Sequence, residues 1–284
     1  MSDFPPCPGV EHAFVDAGGL RVHVAQAGDP EAPPVVLLHG WPQHWWCWRG
    51  VIPRLAERHR VHAVDLRGHG WTEITPGGYE KEQFASDLLA TMDALGIERT
   101  ALAGHDWGGW TAQLAALRAP ERFSAVALLN ISGLWSEPRD TLPQAWRLLY
   151  QPVIATPVLG PAIQRSPALP RAMARQGVPP DAAAVFAARL REPGRAEAGS
   201  KVYRSFVVHE MPGLLRGRYD RERLRVPVRM LYGEDDSVIR PGMLTGLSQH
   251  ADDFALERVP DTGHFIVDQR PGLVAERLTT WFAG

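Results

Sequence analysis

The stretch Gly104-His105-Asp106-Trp107-Gly108-Gly109 sets an aspartate between small residues, directly after the apolar run Thr100 to Ala103 and directly before the Ala-rich helical pattern Trp107 to Arg118. A sharp strand-to-helix turn needs small residues on both sides, here Gly104 and Gly108. It lifts the side chain of its middle residue into the open, beside a helix N-terminus. An aspartate entering a helix through a glycine turn is also an ordinary N-cap. As a nucleophile, however, a carboxylate is suited to a particular chemistry. It is ionised at neutral pH, with a reference pKa of about 3.9, and needs no base to activate it. It can displace a leaving group from a saturated carbon and become an alkyl ester. The ester must then be hydrolysed at the carboxyl carbon of Asp106 itself, which requires an activated water and an oxyanion hole. Aspartate in this place disfavours esterase, lipase and peptidase chemistry. It favours opening an epoxide or displacing a halide.

The second step calls for a base. His264 lies in Pro260-Asp261-Thr262-Gly263-His264-Phe265, just after the run Phe254 to Val259. Most of the other histidines read as surface or satisfied core residues. An acid must orient the imidazole and support its charge. The loop Gly233-Glu234-Asp235-Asp236 follows the apolar run Val228 to Tyr232, and either aspartate could serve. Asp236, the third residue after the turn glycine, is the choice, which leaves Asp235 as a solvated loop residue. The backbone N–H of Trp107 is the expected first oxyanion donor. The second is assigned to Trp41 in His39-Gly40-Trp41-Pro42, which follows the buried-type run Pro34 to Leu38. A plain turn is the alternative reading of that tetrapeptide, and its proline could be cis. His39, Trp41, Trp107 and Phe265 are expected to border the substrate.

The elements that must position these residues follow from periodicity. Leu20 to Gln26 alternates as a half-buried strand does. Pro34 to Leu38, Arg60 to Leu66, Thr100 to Ala103 and Phe123 to Leu129 are short apolar runs of the kind buried on both faces. Tyr79 to Leu95 carries Phe84, Leu88, Leu89, Met92 and Leu95 at helical spacing. This β-α-β-α order predicts an α/β fold with a mostly parallel sheet flanked by helices and a site at the carboxyl ends of the strands. From about residue 131 to 225 the chain is rich in Pro and Arg, with short helical stretches and no clear buried strand. Strand patterns resume at Val228 to Tyr232 and Phe254 to Val259, and Leu273 to Phe282 closes as a helix. The expected organisation is a core from 1–130 and 226–284, interrupted by a helical lid over 131–225.

Composition narrows the partners. With 284 residues, 45% hydrophobic and 22% charged, the chain is ordinary for a globular protein, and its net charge of −2 carries no basic or acidic block. Nucleic acid and anionic membrane surfaces are therefore disfavoured. No run approaches a membrane span. The N-terminus shows no export pattern, so Cys7 and Cys47 read as free thiols in a reducing, cytoplasmic compartment. Histidine and cysteine have no ligand-type spacing, so neither a metal nor an organic cofactor is expected. Among ten tryptophans, Trp41, Trp45, Trp46 and Trp48, then Trp107 and Trp110, cluster beside the motifs, which suggests an apolar pocket.

The segments HGWP at 39–42, DLRGHG at 65–70, GHDWGG at 104–109, LYGEDD at 231–236 and DTGH at 261–264 resemble the epoxide-hydrolase branch of the α/β-hydrolase superfamily, close to the haloalkane dehalogenases. The resemblance covers nearly the whole chain from about Leu20. It implies an α/β-hydrolase fold with a lid and an Asp106–His264–Asp236 triad. It also implies two lid tyrosines that protonate the opening epoxide, since a phenol with a pKa of about 10 is protonated at pH 7 yet far more acidic than an alcohol. Tyr150 and Tyr203 match those segments, and Tyr219 is a third candidate in the return linker. Each tyrosine could equally be a packing residue. Some family members place the acid after the preceding strand, where this chain has Asn130. Trp107 and Trp110 stand where fluoroacetate dehalogenases carry arginines, which argues against a small anionic substrate. The implied reaction is conversion of a small apolar epoxide and water to a vicinal diol. Haloalkane dehalogenation by the same triad is the alternative, and a non-catalytic ligand receptor on the same fold is a third reading. The protein is expected to be a monomer or homodimer.

Overall fold

The computed structural model describes residues 4–135 and 146–283. Its strands are β1 (Glu11–Asp16), β2 (Arg21–Ala27), β3 (Pro34–Leu38), β4 (Arg60–Val64), β5 (Thr100–His105), β6 (Phe123–Leu129), β7 (Val228–Gly233) and β8 (Phe254–Val259). They form one sheet in the order β1-β2-β4-β3-β5-β6-β7-β8. β2 is antiparallel to β1 and to β4, and the pairings from β4 across to β8 are parallel. The main helices are α1 (Lys81–Ala94), α2 (Trp107–Arg118), α3 (Tyr150–Ala155), α4 (Leu159–Arg165), α5 (Ala168–Arg175), α6 (Pro180–Leu190), α7 (Arg195–Ser205), α8 (Thr245–His250) and α9 (Pro271–Trp281).

The apolar runs are continuous because both faces of the sheet are covered. Successive side chains of a strand point to opposite faces. Val36 and Leu38 accordingly join one core with Leu102, Leu128 and the α1 residues Phe84 and Leu88. Val35 and Leu37 join the other with Ala103, Leu129 and the α9 residues Val274 and Leu278. Each such side chain contributes about 1.5–3 kcal/mol by leaving water, so neither face tolerates the polar alternation of a half-exposed strand.

One strand, β1, carries no clear signal in the sequence. Glu11–Asp16 lies at the sheet edge with only partly buried side chains, so burial imposes no strong pattern on it. Between β6 and β7 the described residues form helices and contribute no strand to the sheet. Residues 136–145 of the expected 131–225 insertion lie outside the described residues. Proline punctuates these helices: Pro180 occupies the first helical position of α6, where its missing N–H is harmless. Cys7 and Cys47 are unpaired. Among the described residues no helix is long and apolar enough to cross a membrane.

Candidate active site

The ends of β3, β5, β7 and β8 meet at Asp106. The backbone passes from β5 into α2 through Asp106 at φ 49°, ψ −125°. A non-glycine residue at positive φ costs on the order of 1–3 kcal/mol and persists only where its surroundings hold it. Here Gly109 N and Trp110 N donate to the Asp106 carbonyl at 2.8 and 3.2 Å, and Asp106 N donates to Leu129 O at 3.2 Å. The turn is tight enough that a Cβ on Gly104 would lie 2.3 Å from Gly108 O, and one on Gly108 would lie 2.5 Å from Leu38 O. The carboxylate is nearly buried. Its Oδ2 accepts the Trp41 N–H at 2.9 Å, and the Trp107 N–H also bonds it. The two backbone donors expected from sequence thus converge on the same carboxylate. Burial pushes the Asp106 carboxyl above the ordinary carboxylate range, against the pull of His264 and of these two N–H groups.

His264 Nε2 stands 3.9 Å from Asp106 Oδ1, and its Nδ1 bonds Asp236 Oδ2 at 2.9 Å. Asp235 is exposed, whereas Asp236 is fully buried. Asp236 Oδ1 accepts the N–H groups of Val238 at 2.6 Å and Ile239 at 2.9 Å. Burial alone would discharge both partners. Instead the imidazole, pressed down by burial, is lifted to about 9 by Asp236 and Asp106. Asp236, pressed up by burial, is held below its usual value by His264 and its hydrogen bonds. At neutral pH His264 is an imidazolium set between Asp236 and Asp106.

Asp106 and His264 open onto a cavity of about 330 Å³ that is also lined by Trp41, Phe265, Tyr150 and Tyr203. Tyr150 begins α3 and Tyr203 lies near the end of α7, and these helices are tied by a bond from Arg204 Nε to Ala155 O of 2.9 Å. The two phenol rings meet edge to face with centroids 5.9 Å apart. Tyr203 is also held edge to face against Trp41 at 5.0 Å and Trp107 at 5.6 Å. Burial, followed by the neighbouring negative charge and ring, raises both phenols well above the usual tyrosine value. Both are therefore protonated donors at neutral pH, facing the site.

A model of the α/β hydrolase fold matches residues 33–271. The chain belongs to the α/β hydrolase fold family. Within that family it is similar to epoxide hydrolase 3 of Siraitia grosvenorii, 33% identical over 50% of this chain and 45% of that protein. It is likewise similar to epoxide hydrolase A of Mycobacterium tuberculosis, 38% identical over 47% of this chain and 42% of that one. The matched segments thus span less than half the length of these curated relatives. Among solved structures, the epoxide hydrolase CorEH superposes with a TM-score of 0.83 at 27% identity, covering 96% of this chain and 99% of that one.

One expectation for this α/β hydrolase needs correction. His39 does not border the cavity. It is fully buried, its Nε2 accepts Leu66 N–H at 3.0 Å and its Nδ1 bonds Gly40 O at 2.8 Å. Both ring nitrogens are spent holding the loop after β3 to the chain after β4. The Trp107 indole packs against Tyr203, Trp110 and Phe206. The Trp41–Pro42 peptide is cis. Tyr219 is outside the cavity, donating to Glu82 Oε1 at 2.6 Å.

Sequence reasoning missed the role of Asn130. Its Nδ2 donates to Asp236 Oδ2 at 2.7 Å and its Oδ1 accepts Gly233 N–H at 3.2 Å. It bridges the ends of β6 and β7 and fixes the acid. Its place at the end of β6, where other members carry the acid, was the available signal. Gln164 was also missed. It accepts the Trp41 indole N–H at 3.0 Å and donates to Ser200 Oγ at 2.8 Å, so α4 and α7 together set the Trp41 ring.

Proposed function

We propose that the protein is an epoxide hydrolase working through a covalent ester on Asp106. The observation that carries this reading is that two neutral phenols, Tyr150 and Tyr203, share one cavity with Asp106 and His264. In the first step Asp106 attacks one ring carbon and the C–O bond of the epoxide breaks. The alkoxide formed takes its proton from a tyrosine, and the His264 imidazolium returns a proton to that tyrosinate, which leaves His264 neutral. A buried phenol with a raised pKa donates a hydrogen bond without ionising in the resting state. In the second step His264, supported by Asp236, removes a proton from water. The hydroxide adds to the ester carbonyl of Asp106, and the resulting oxyanion sits where Trp41 and Trp107 N–H already point. Collapse releases the diol and restores the carboxylate. The helices bearing the tyrosines, α3 and α7, act as part of a lid, and the apolar walls Trp41, Leu169, Met173 and Phe265 suit an apolar, water-shielded substrate.

The similarity to epoxide hydrolases supports this reading over dehalogenation. The test is intact-protein mass spectrometry of His264→Gln incubated with an aryl epoxide or a bromoalkane. The expected result is a mass gain equal to the whole epoxide, absent in the Asp106→Asn variant. A gain equal to an alkyl group without its halogen would assign a dehalogenase instead. No adduct from either, in folded protein, would remove both assignments.

A further inference from the structure

Lys81, the first residue of α1, is a core lysine with no exposed surface. Its Nζ donates to Glu210 Oε2 at 2.8 Å and to the carbonyl of Val202 at 2.9 Å. The ammonium lies 4.4 Å over the Trp107 ring and 5.3 Å over the Phe206 ring. Glu210 is nearly buried as well, and its Oε1 accepts the Lys81 backbone N–H at 2.8 Å. Glu210 thus caps α1 and closes the π-helical turn Phe206–Glu210 that continues α7.

None of the proposed chemistry uses this pair, and burying two charges is expensive. Replacing such a pair with apolar groups is often neutral or stabilising, so stability is a weak reason for it. Its placement supplies a better one. Val202 immediately precedes Tyr203, and Trp107 immediately follows Asp106. One side chain from the core therefore grips the backbone next to the phenol on one side and the ring next to the nucleophile on the other. A π-helical turn has wider spacing than an α-helical one and leaves carbonyls differently directed, and the ammonium fills the position at that junction. Burial presses the Lys81 ammonium toward neutrality, while Glu210 and then Asp106 counter it.

We propose that Lys81 and Glu210 are a positioning pair that fixes the Tyr203 hydroxyl relative to the Asp106 carboxylate for the ring-opening step; this rests on the epoxide reading above. Neither residue touches substrate. Ring opening needs the proton donor and the nucleophile on the same substrate at once, and a misplacement of about 1 Å can cost on the order of 100-fold. Ester hydrolysis uses His264, Asp236 and two backbone N–H groups. It should be indifferent to where Tyr203 stands.

The variant Lys81→Met/Glu210→Gln removes both charges together and keeps an Oε1 acceptor for the α1 N-terminus. In the His264→Gln background, ester formation from an aryl epoxide is followed by rapid quench and mass spectrometry. The paired change should slow it by about 10- to 100-fold. In a His264→Gln/Tyr203→Phe background the same change should alter the rate by no more than about 2-fold, because sites that act through one another are not additive. With His264 restored, hydrolysis of preformed ester should stay within about 2-fold of the parent. Glu210→Gln alone, which keeps Lys81, is the second variant if the paired one does not fold, with the same dependence on Tyr203 expected. Undiminished ester formation, or equal slowing with and without the Tyr203 hydroxyl, overturns the proposal. No ester in the parent His264→Gln protein would instead overturn the epoxide reading, and this inference with it.

Discussion

His264 carries different charges in the two halves of the proposed cycle, and the difference comes from Asp106. In the resting protein the imidazole is lifted to about 9 by Asp236 and, to a lesser degree, by Asp106, against the effect of burial. The extra proton suits the first step, because a positive charge 3.9 Å away keeps the buried nucleophile ionised. Once Asp106 is an ester its charge is gone and one of the supports for imidazolium goes with it. The imidazole then loses its proton more readily and becomes a base when a base is needed. Single-turnover ester hydrolysis should therefore rise with pH through a midpoint below about 9, while ester formation should fall as pH climbs through about 9 and the resting imidazolium is lost. Titration of His264 by NMR in the resting protein and stopped-flow hydrolysis supply the two values. Equal midpoints would mean that Asp106 does not control the base.

At the scale of the element, the site depends on how closely β3, β5 and α2 approach one another. The first turn of α2 lies against the end of β3 so tightly that a methyl on Gly108 would meet two backbone oxygens, Leu38 O at 2.5 Å and His39 O at 2.6 Å. Backbone cannot swing aside as the end of a flexible side chain can. Gly108→Ala must push α2 away from the loop that carries the Trp41 N–H, lengthening its bond to Asp106. The variant should lose at least about 2 kcal/mol of stability, in the range of strained or overpacked core substitutions. Urea unfolding measures that loss. Folded material should show ester hydrolysis slowed more than ester formation, since the displaced donor serves the oxyanion. Unchanged stability would show that the elbow has room the packing does not suggest.

For the whole molecule, the buried histidines set how stability varies with pH. Burial lowers His44, His69 and His105 to about 3 and His12 and His62 to about 4. It lowers His39 too. Between those values and 6.5 the unfolded chain binds protons that the folded chain refuses. Stability therefore rises with pH across that window and falls as acid is added. His264 has the opposite sign. Its folded pKa is raised to about 9, so its contribution is complete below 6.5 and is lost as pH climbs through 9. Denaturant midpoints measured from pH 4 to 10 should peak near pH 6.5. His264→Gln should make the limb between pH 6.5 and 9 shallower and leave the acid limb in place. A wild-type profile that is flat above pH 7 would contradict the charged state assigned to His264.

Much of this was readable from the sequence for a physical reason. Strands buried on both faces must be apolar throughout, so β3 and β6 appear at their observed limits, and a turn as tight as the one at Asp106 admits little but glycine on either side. Residue type together with chain order therefore brought out Asp106, Asp236 and His264. Residues whose roles depend on partners far away in sequence stayed hidden. His39 sits in a conspicuous motif, yet its nitrogens are taken by Leu66 and Gly40, so it supports a loop instead of facing substrate. Asn130, Gln164 and the pair Lys81 and Glu210 carry no local pattern, since a single polar residue reads the same whether it meets water or a buried partner 32 to 129 residues away. Sequence determined which groups could react. Only the tertiary structure decided which polar side chains hold them at bonding distance, because that depends on contacts across helices and strands that no local spacing encodes.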